Sequence, residues 1–129
     1  MSKNFYLNEH EYTIKTSTLP NSGFGAFTNV HLPKGTVLDY YRGKKLSPKQ
    51  YNNLTDKSYV WNVKSKDSGH FYIDGQNESK SNWLRFLNDS RDHRNNIKPY
   101  QYREKIFYKT MKDIYPGEEL FVNYGDSYW

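Results

Sequence analysis

The chain has 129 residues, with 19 Lys and Arg against 14 Asp and Glu, so its formal net charge is +5. The 18% share of aromatic residues excludes a disordered chain, and the mean hydropathy of −1.06 excludes a membrane span. Cysteine is absent, which excludes disulfides, cysteine-bound zinc and a cysteine nucleophile. The four His residues lack metal-binding spacing, and we predict no metal site.

The first half of the chain predicts short strands separated by turns. Glu11–Thr16 alternates polar and apolar residues, which is typical of a strand. Leu19–Gly25 is rich in turn-forming residues, and Phe27–Val30 is a candidate strand. Thr36–Tyr41 has high β-propensity. Ser47–Leu54 begins with a serine cap and a proline at the first helical position, which predicts a short helix.

The second half continues the same pattern and indicates a small β-rich domain. Ser58–Val63 and His70–Ile73 flank a polar turn, which predicts a hairpin. Ser79–Leu87 predicts a helical turn, and Asn88–Asn96 is loop-like. Two more strands are predicted, Lys105–Met111 and Glu119–Tyr124.

Two segments combine residues that could bind a ligand. Gly23-Phe24-Gly25 lets the backbone approach a ligand closely, although such a pair of glycines more often forms only a turn. Arg85 and Asn88 lie among apolar residues, where a polar group must be satisfied or used. For Arg85 the alternative is a structural arginine that pins a loop through backbone carbonyls.

Aromatic residues are the broadest clue to function. Several tyrosines lie in or beside predicted strands, and tyrosines that converge on a channel can hold a cation against their ring faces. Tyr124, Tyr128 and Trp129 cluster at the end of the printed sequence. They could close the core or cover a planar ligand such as adenine, and the residues alone leave both readings open.

Six segments, taken in order, resemble the motifs of SET domains, the fold of protein lysine methyltransferases. The stretch NWLRFLNDSR, with the later QYREKIFYKT and YGDSY, is similar to the PR subclass of that family. The compact size resembles the minimal SET proteins of large DNA viruses and some bacteria. The six segments are Gly23–Phe27, Tyr40–Gly43, Ser58–Trp61, Tyr72–Asp74, Arg85–Asn88, and Gly117–Leu120 with Tyr124–Asp126.

This resemblance implies a mostly β fold, the SET-domain β-clip. It has short strands in small sheets, one or two short helices and a C-terminal pseudoknot. We expect a single SET domain over residues 1–129, with a core over about 11–129. The chain departs from the family at Asp89, where a histidine is usual. It also lacks the cysteine and Pro-Asn pair that normally follow, and the cysteines of the zinc-bound closing segment.

The resemblance also implies the chemistry and the site. The cofactor is S-adenosylmethionine, and a lysine ε-amine accepts its methyl group. Tyr124 is the expected catalytic residue, and Tyr41, Tyr59 and Tyr128 are expected to line the substrate-lysine channel. The expected cofactor-binding residues are Gly23, Phe24, Gly25, Tyr59, Arg85, Asn88, Asp89 and Trp129.

The expected partner is a protein that contains the lysine to be methylated, and a histone tail is the expected substrate. No membrane contact is expected, and a homodimer could complete the peptide groove of so small a domain. The resemblance and the lack of a signal peptide predict a soluble, intracellular protein in the nucleus, or in the host nucleus for a viral protein. A basic peptide would need an acidic groove, and the candidates to line it, with ordinary surface charges as the alternative, are Asp113, Glu118, Glu119 and Asp126.

Two other functions remain open from the sequence. Asp89 and the missing part of its motif would suit a SET-like module that binds peptides without catalysis. The net charge and the tyrosines would suit a basic β-domain that binds nucleic acid directly. The lysines that favour this second reading are Lys44, Lys45, Lys49, Lys64 and Lys66.

Overall fold

The computed structural model describes residues 6–65 and 69–123, and three small antiparallel sheets organise them. The first sheet has the strand order β1-β2-β9, formed by Tyr12–Thr16, Phe24–Thr28 and Glu119–Leu120. Strand β2 was expected only from Phe27, but it begins at Phe24, because Phe24 pairs with Thr16 at the end of β1. Strand β9 is shorter than predicted.

The second sheet contains β3 (Val37–Tyr40), β8 (Lys105–Thr110) and β7 (Ile97–Tyr102), in the order β3-β8-β7. Strands β7 and β8 form an antiparallel hairpin, in which Ile97 lies opposite Thr110 and Tyr102 lies opposite Lys105. The sequence did not predict β7, which contains Pro99. Proline is tolerated there because β7 lies at the edge of its sheet.

The third sheet has the order β4-β6-β5, formed by Lys44–Leu46, Gly69–Asp74 and Val60–Ser65. The predicted hairpin of β5 and β6 is confirmed, with Val60 opposite Asp74 and Ser65 opposite Gly69. Strand β4 was not predicted. It pairs with the other side of β6.

Helical structure is limited to short turns in the described residues. The helix α1 (Pro48–Asn52) has the predicted cap: the Ser47 hydroxyl accepts from the Gln50 amide, and the Gln50 side chain accepts from the Ser47 amide. Two 3₁₀ turns, Glu78–Lys80 and Trp83–Phe86, replace the single helical turn expected over Ser79–Leu87. In residues 6–65 and 69–123, no helix has the length and apolar character needed to cross a membrane.

The core is aromatic as well as aliphatic, in keeping with the composition. Tyr108 is fully buried, and its hydroxyl accepts a hydrogen bond of 2.8 Å from the Trp61 indole. Tyr41 stacks on Tyr108, and Trp83 stacks on Tyr12 with ring centroids 4.0 Å apart. These rings bury large apolar areas. The Trp61 indole and the Tyr41 hydroxyl are hydrogen-bonded, whereas the buried Trp83 N–H has no hydrogen-bond partner among the described residues.

Residues 119–123 pass between two other segments of the chain. On one side, Phe121 forms a parallel bridge with Asn88; on the other, Val122 forms a parallel bridge with Ile97. The loop over residues 88–97 therefore flanks residues 119–123 on two sides, as the expected C-terminal pseudoknot requires. The prediction of a mostly β fold with small sheets is confirmed.

Candidate functional site

The chain turns at Gly23 and begins strand β2 at Phe24. Gly23 has φ of +64°, a left-handed conformation that glycine adopts easily, and its carbonyl accepts from the Ser17 amide at 2.8 Å. The Phe24 side chain remains 59% exposed. Gly25 is buried against the side chains of Glu119 and Ser17. Only Gly23 lies in the turn that the sequence predicted, because Phe24 and Gly25 already belong to the strand.

Glu119 holds the chain that leads into this turn. Its carboxylate accepts three hydrogen bonds: from the Ser17 hydroxyl at 2.6 Å, the Thr18 amide at 2.8 Å and the Thr18 hydroxyl at 2.6 Å. Glu119 is only 7% exposed. The expectation that it meets a basic peptide is therefore wrong. A glutamate in a predicted strand gives no sign that it binds residues about a hundred positions away.

Asn88 joins the Gly23–Gly25 segment to the end of the described chain. Its side-chain amide donates to the Phe24 carbonyl at 3.0 Å, and its own carbonyl accepts from the Val122 amide at 2.9 Å. One residue therefore contacts both segments that the sequence analysis assigned to the site. The short distance of Asn88 from the Phe24 backbone explains how two motifs far apart in sequence are linked.

Asp89 stabilises the loop that follows Asn88. Its carboxylate accepts from the Arg91 amide at 2.7 Å and from the Asn95 side chain at 2.8 Å. Arg91 itself has φ of +61°, a conformation that needs such local support. Asp89, which replaces the usual histidine, thus has a defined role in shaping the loop.

Arg85 makes the contacts of a structural arginine and also faces the site. Its Nε donates to the Gly75 carbonyl at 2.7 Å, and Nη2 donates to the Gln76 carbonyl at 2.9 Å. Its guanidinium lies 4.5 Å from the centre of the Tyr59 ring. The sequence offered these as alternatives, and the geometry combines them: Arg85 pins the loop after β6 and stacks on Tyr59.

Tyr41 and Tyr59 are linked directly. The Tyr41 hydroxyl donates to the Tyr59 carbonyl at 2.8 Å, and the Tyr41 side chain is 3% exposed. Gly75 packs on the Tyr41 ring so closely that an added Cβ would lie 2.5 Å from the hydroxyl oxygen. The two tyrosines therefore have fixed positions, with Tyr59 bound to Gly75 through its carbonyl as well.

Most of the expected cofactor-binding residues that the structure describes meet at one cleft, which we call the small cleft. Its volume is about 870 Å³. Hydrogen bonds from Ser58 hold the pKa of the Asp56 carboxyl below its usual value. Gly23, Phe24 and Gly25 lie beside the cleft rather than in its wall. The lining residues are Leu19, Pro20, Ser22, Thr55, Asp56, Lys57, Ser58, Tyr59, Arg85, Leu87, Asn88, Asp89 and Arg91.

Three expected site residues, Tyr124, Tyr128 and Trp129, lie outside the described residues. Asp126, an expected contact for a basic peptide, lies outside them as well. Within residues 6–65 and 69–123, no group of three or more His, Asp or Glu side chains is arranged to hold a metal ion.

Comparison with known proteins gives a consistent set of relatives. A family model described as PR domain zinc finger protein 2, PR domain, matches residues 12–129. The chain is 39% identical over 118 residues to Histone-lysine N-methyltransferase set-17 of Caenorhabditis elegans, which covers 91% of this chain and 42% of that protein. The chain thus spans less than half of this relative.

Solved structures with the same fold include two informative neighbours. The methyltransferase domain of human PR domain-containing protein 2 has a TM-score of 0.78 and 31% identity, over 93% of this chain and 81% of that chain. A second neighbour, ctPRC2 in an autoinhibited conformation bound to S-adenosylmethionine, has a TM-score of 0.71 and 26% identity, over 91% and 15% of the two chains. These relatives give no support to a viral origin.

Proposed function

The chain belongs to the PR-type SET domains, and on that premise we propose that it transfers a methyl group from S-adenosylmethionine to a protein lysine, with a histone tail as substrate. The observation that carries the proposal is the small cleft, where Tyr59, Arg85, Asn88 and Asp89 meet beside the Gly23–Gly25 turn. The name of the nematode relative supports a histone substrate, and the ligand of the ctPRC2 structure supports the cofactor.

The residues around the small cleft fit the proposed cofactor. Its volume of about 870 Å³ lies within the roughly 300–1,000 Å³ typical of sites for small molecules. Lys57 and Arg91 offer cations for the cofactor's carboxylate, and Asp56 offers an ionised carboxylate for its amine or hydroxyl groups. When bound, the cofactor supplies a methyl group activated by a sulfonium.

Asn88 would position the cofactor through the backbone that it holds. Its side-chain amide already binds the Phe24 carbonyl, which fixes the Gly23–Gly25 turn close to the cleft. Asp89 supports the same wall through the Arg91 amide. Asp89 stands where the family usually has a histidine, and its hydrogen bonds to the Arg91 amide and the Asn95 side chain hold this loop in place, which favours an active site over the alternative of an inactive module.

The acceptor lysine must reach the methyl group as a neutral amine. Its ordinary pKa of about 10.4 makes it a poor nucleophile at neutral pH. A channel between tyrosine rings removes water from the amine and lowers its pKa. We propose that Tyr41 and Tyr59 form part of this channel. The Tyr41 hydroxyl is already bound to the Tyr59 carbonyl, so Tyr41 would offer its ring rather than a hydrogen bond.

Tyr124 is the proposed catalytic residue, and its hydroxyl would orient the reacting amine and methyl group. Tyr128 would form another wall of the channel, and Trp129 would cover the adenine. The chain's own contribution is then binding, orientation and the exclusion of water. Because the proposed substrate is histone, we also propose that the protein acts in the nucleus.

The test is transfer of a labelled methyl group to a panel of core histones, with calorimetry of S-adenosylmethionine binding. We expect Tyr124→Phe to lose most turnover while it keeps its cofactor affinity, because the variant loses only one hydroxyl. Asn88→Ala should instead weaken cofactor binding. Methylation by Tyr124→Phe at the wild-type rate would remove Tyr124 from the mechanism. A wild-type protein that binds no S-adenosylmethionine would refute the proposed function.

A further inference from the structure

The net charge of the chain is concentrated on one surface, which we call the basic groove. The groove lies between the β4-β6-β5 sheet and the tip of the β7–β8 hairpin, and its volume is about 1720 Å³. One acidic residue, Glu104, is found among its described lining residues. The lining cations are Arg42, Lys45, Lys64, Lys80, Arg103 and Lys105.

The lining of the basic groove therefore carries a formal charge of +5, the same as the whole chain. Outside the groove the chain has as many Asp and Glu residues as Lys and Arg residues, whereas in the groove the cations outnumber the single acidic residue. Arg42 is partly neutralised by Asp39 at 3.0 Å. In the part of the chain that the structure describes, the other five cations have no carboxylate within ion-pair distance. Such a field attracts a polyanion.

Aromatic rings hold several of these cations in the groove. Lys105 Nζ lies 4.5 Å and the Arg42 guanidinium 4.4 Å from the centre of the Tyr40 ring. Lys45 Nζ lies 4.3 Å from the centre of Phe71. These contacts restrain long side chains that would otherwise lose entropy on binding a ligand.

The floor of the groove is rigid. The Gln101 side chain accepts from the Lys64 amide at 3.0 Å and donates to the Lys64 carbonyl at 2.7 Å, which joins β5 to β7. The Ser65 hydroxyl donates to Glu104 at 2.7 Å. Both walls therefore keep their spacing, and the one acidic side chain is engaged at the hairpin tip.

We propose that the basic groove, whose lining also includes the proposed channel residue Tyr41, binds the phosphate backbone of double-stranded DNA. Single-stranded nucleic acid binds largely by stacking its bases on free aromatic faces, and here cations of the chain already lie over Tyr40, Phe71 and Tyr102. Cations fixed along two walls instead suit repeated phosphates.

The sequence pointed toward this property but not to its location. Of the five lysines that favoured a nucleic-acid partner, Lys45 and Lys64 line the groove. Lys44 and Lys49 do not, and Lys66 lies outside the described residues. The arginines and Lys105 come from segments that folding brings to the same face.

The test is binding of a fluorescent duplex of mixed sequence, measured by anisotropy over about 50–200 mM salt. Each phosphate contact should contribute a slope of about −0.9 in log K against log salt. The triple variant Lys64→Ala, Arg103→Ala, Lys105→Ala should flatten the slope by about 2.7 units, which corresponds to roughly 500-fold weaker binding at 0.1 M salt for lines that meet at 1 M. The matched control is Lys15→Ala, Lys34→Ala, Lys112→Ala, which removes the same charge from exposed sites outside the groove.

Each outcome bears on the proposal. The proposal is supported if the groove variant flattens the salt dependence of duplex binding and the control variant does not. Equal weakening by both triple variants would mean that net charge alone is responsible, and would overturn it. Tighter binding of a single strand with a shallow salt slope would assign the groove to base stacking. Equal binding of poly-glutamate at the groove would assign it to an acidic protein. None of these readouts depends on methyl transfer, so failure of the proposed function would remain a separate result.

Discussion

The contact between Gly25 and Glu119 predicts a large effect from a single added methyl group. An alanine Cβ at position 25 would overlap Glu119 Oε2, and would lie 3.0 Å from the Glu119 Cδ and 3.2 Å from the Ser17 Cβ. The carboxylate must therefore move. It is buried and accepts three hydrogen bonds from Ser17 and Thr18, so movement separates it from the donors that it holds.

The expected cost follows from these bonds. A hydrogen bond to a charged group contributes about 1.5–3 kcal/mol, and Oε2 must give up at least its bond to Ser17. We expect Gly25→Ala to lower the free energy of unfolding by about 2–4 kcal/mol. Gly23→Ala is the matched control. A Cβ there meets nothing within 4 Å, so only the left-handed φ costs about 1–2 kcal/mol.

Urea unfolding of these variants and of Glu119→Ala measures the effect. In the variant that combines Gly25→Ala with Glu119→Ala, the added methyl group has no carboxylate to displace. The combined cost should then be close to that of Glu119→Ala alone, so the coupling energy should be close in size to the cost of Gly25→Ala, about 2–4 kcal/mol. Additive costs would refute the reasoning, and so would a Gly25→Ala variant as stable as Gly23→Ala.

Two further predictions concern buried polar groups. Asn96→Ala should cost about 2–4 kcal/mol in urea unfolding, because Asn96 bonds the Glu119 carbonyl and the Phe121 amide. The control is Asn123→Ala, on the 119–123 segment that Asn96 binds; it should change stability by less than about 0.5 kcal/mol, and equal losses would contradict this role. Burial raises the pKa of Asp39 above its ordinary 3.8, despite opposing hydrogen bonds. The folded state therefore binds this proton more tightly, and Asp39 should make stability fall as the pH rises through the window above 3.8. Asp39→Asn should remove that component, and an unchanged pH dependence would count against it.

The helix and strands that the sequence predicted correctly are those specified by residues close together in the chain. The Ser47 cap and Pro48 specify the start of α1, and β1, β3 and the β5–β6 hairpin follow alternation and β-propensity. Strands β4 and β7 escaped prediction because Lys44–Leu46 is short and largely exposed, and Ile97–Tyr102 contains a proline. Both become strands because an adjacent strand pairs with them.

Part of the candidate site could likewise be predicted from the sequence, and part could not. Motif order led to Gly23–Gly25, Arg85 and Asn88, and the structure links these segments through Asn88 and Phe24. Glu119 could not be recognised, because its partners Ser17 and Thr18 are about a hundred residues away. The charge of the basic groove was equally hidden, since it comes from Arg42, Arg103 and other residues on separate elements.

The passage of residues 119–123 between two segments has a consequence for local unfolding. The Val122 amide binds the Asn88 carbonyl, and the Asn123 amide binds the Ile97 carbonyl. Residues 119–123 cannot leave without breaking contacts on both sides, and proteins open in such cooperative units. Amide hydrogens on all three segments should therefore exchange with solvent together and slowly. A wall of the small cleft built on this unit keeps its shape before any ligand arrives, which spares binding the cost of ordering it.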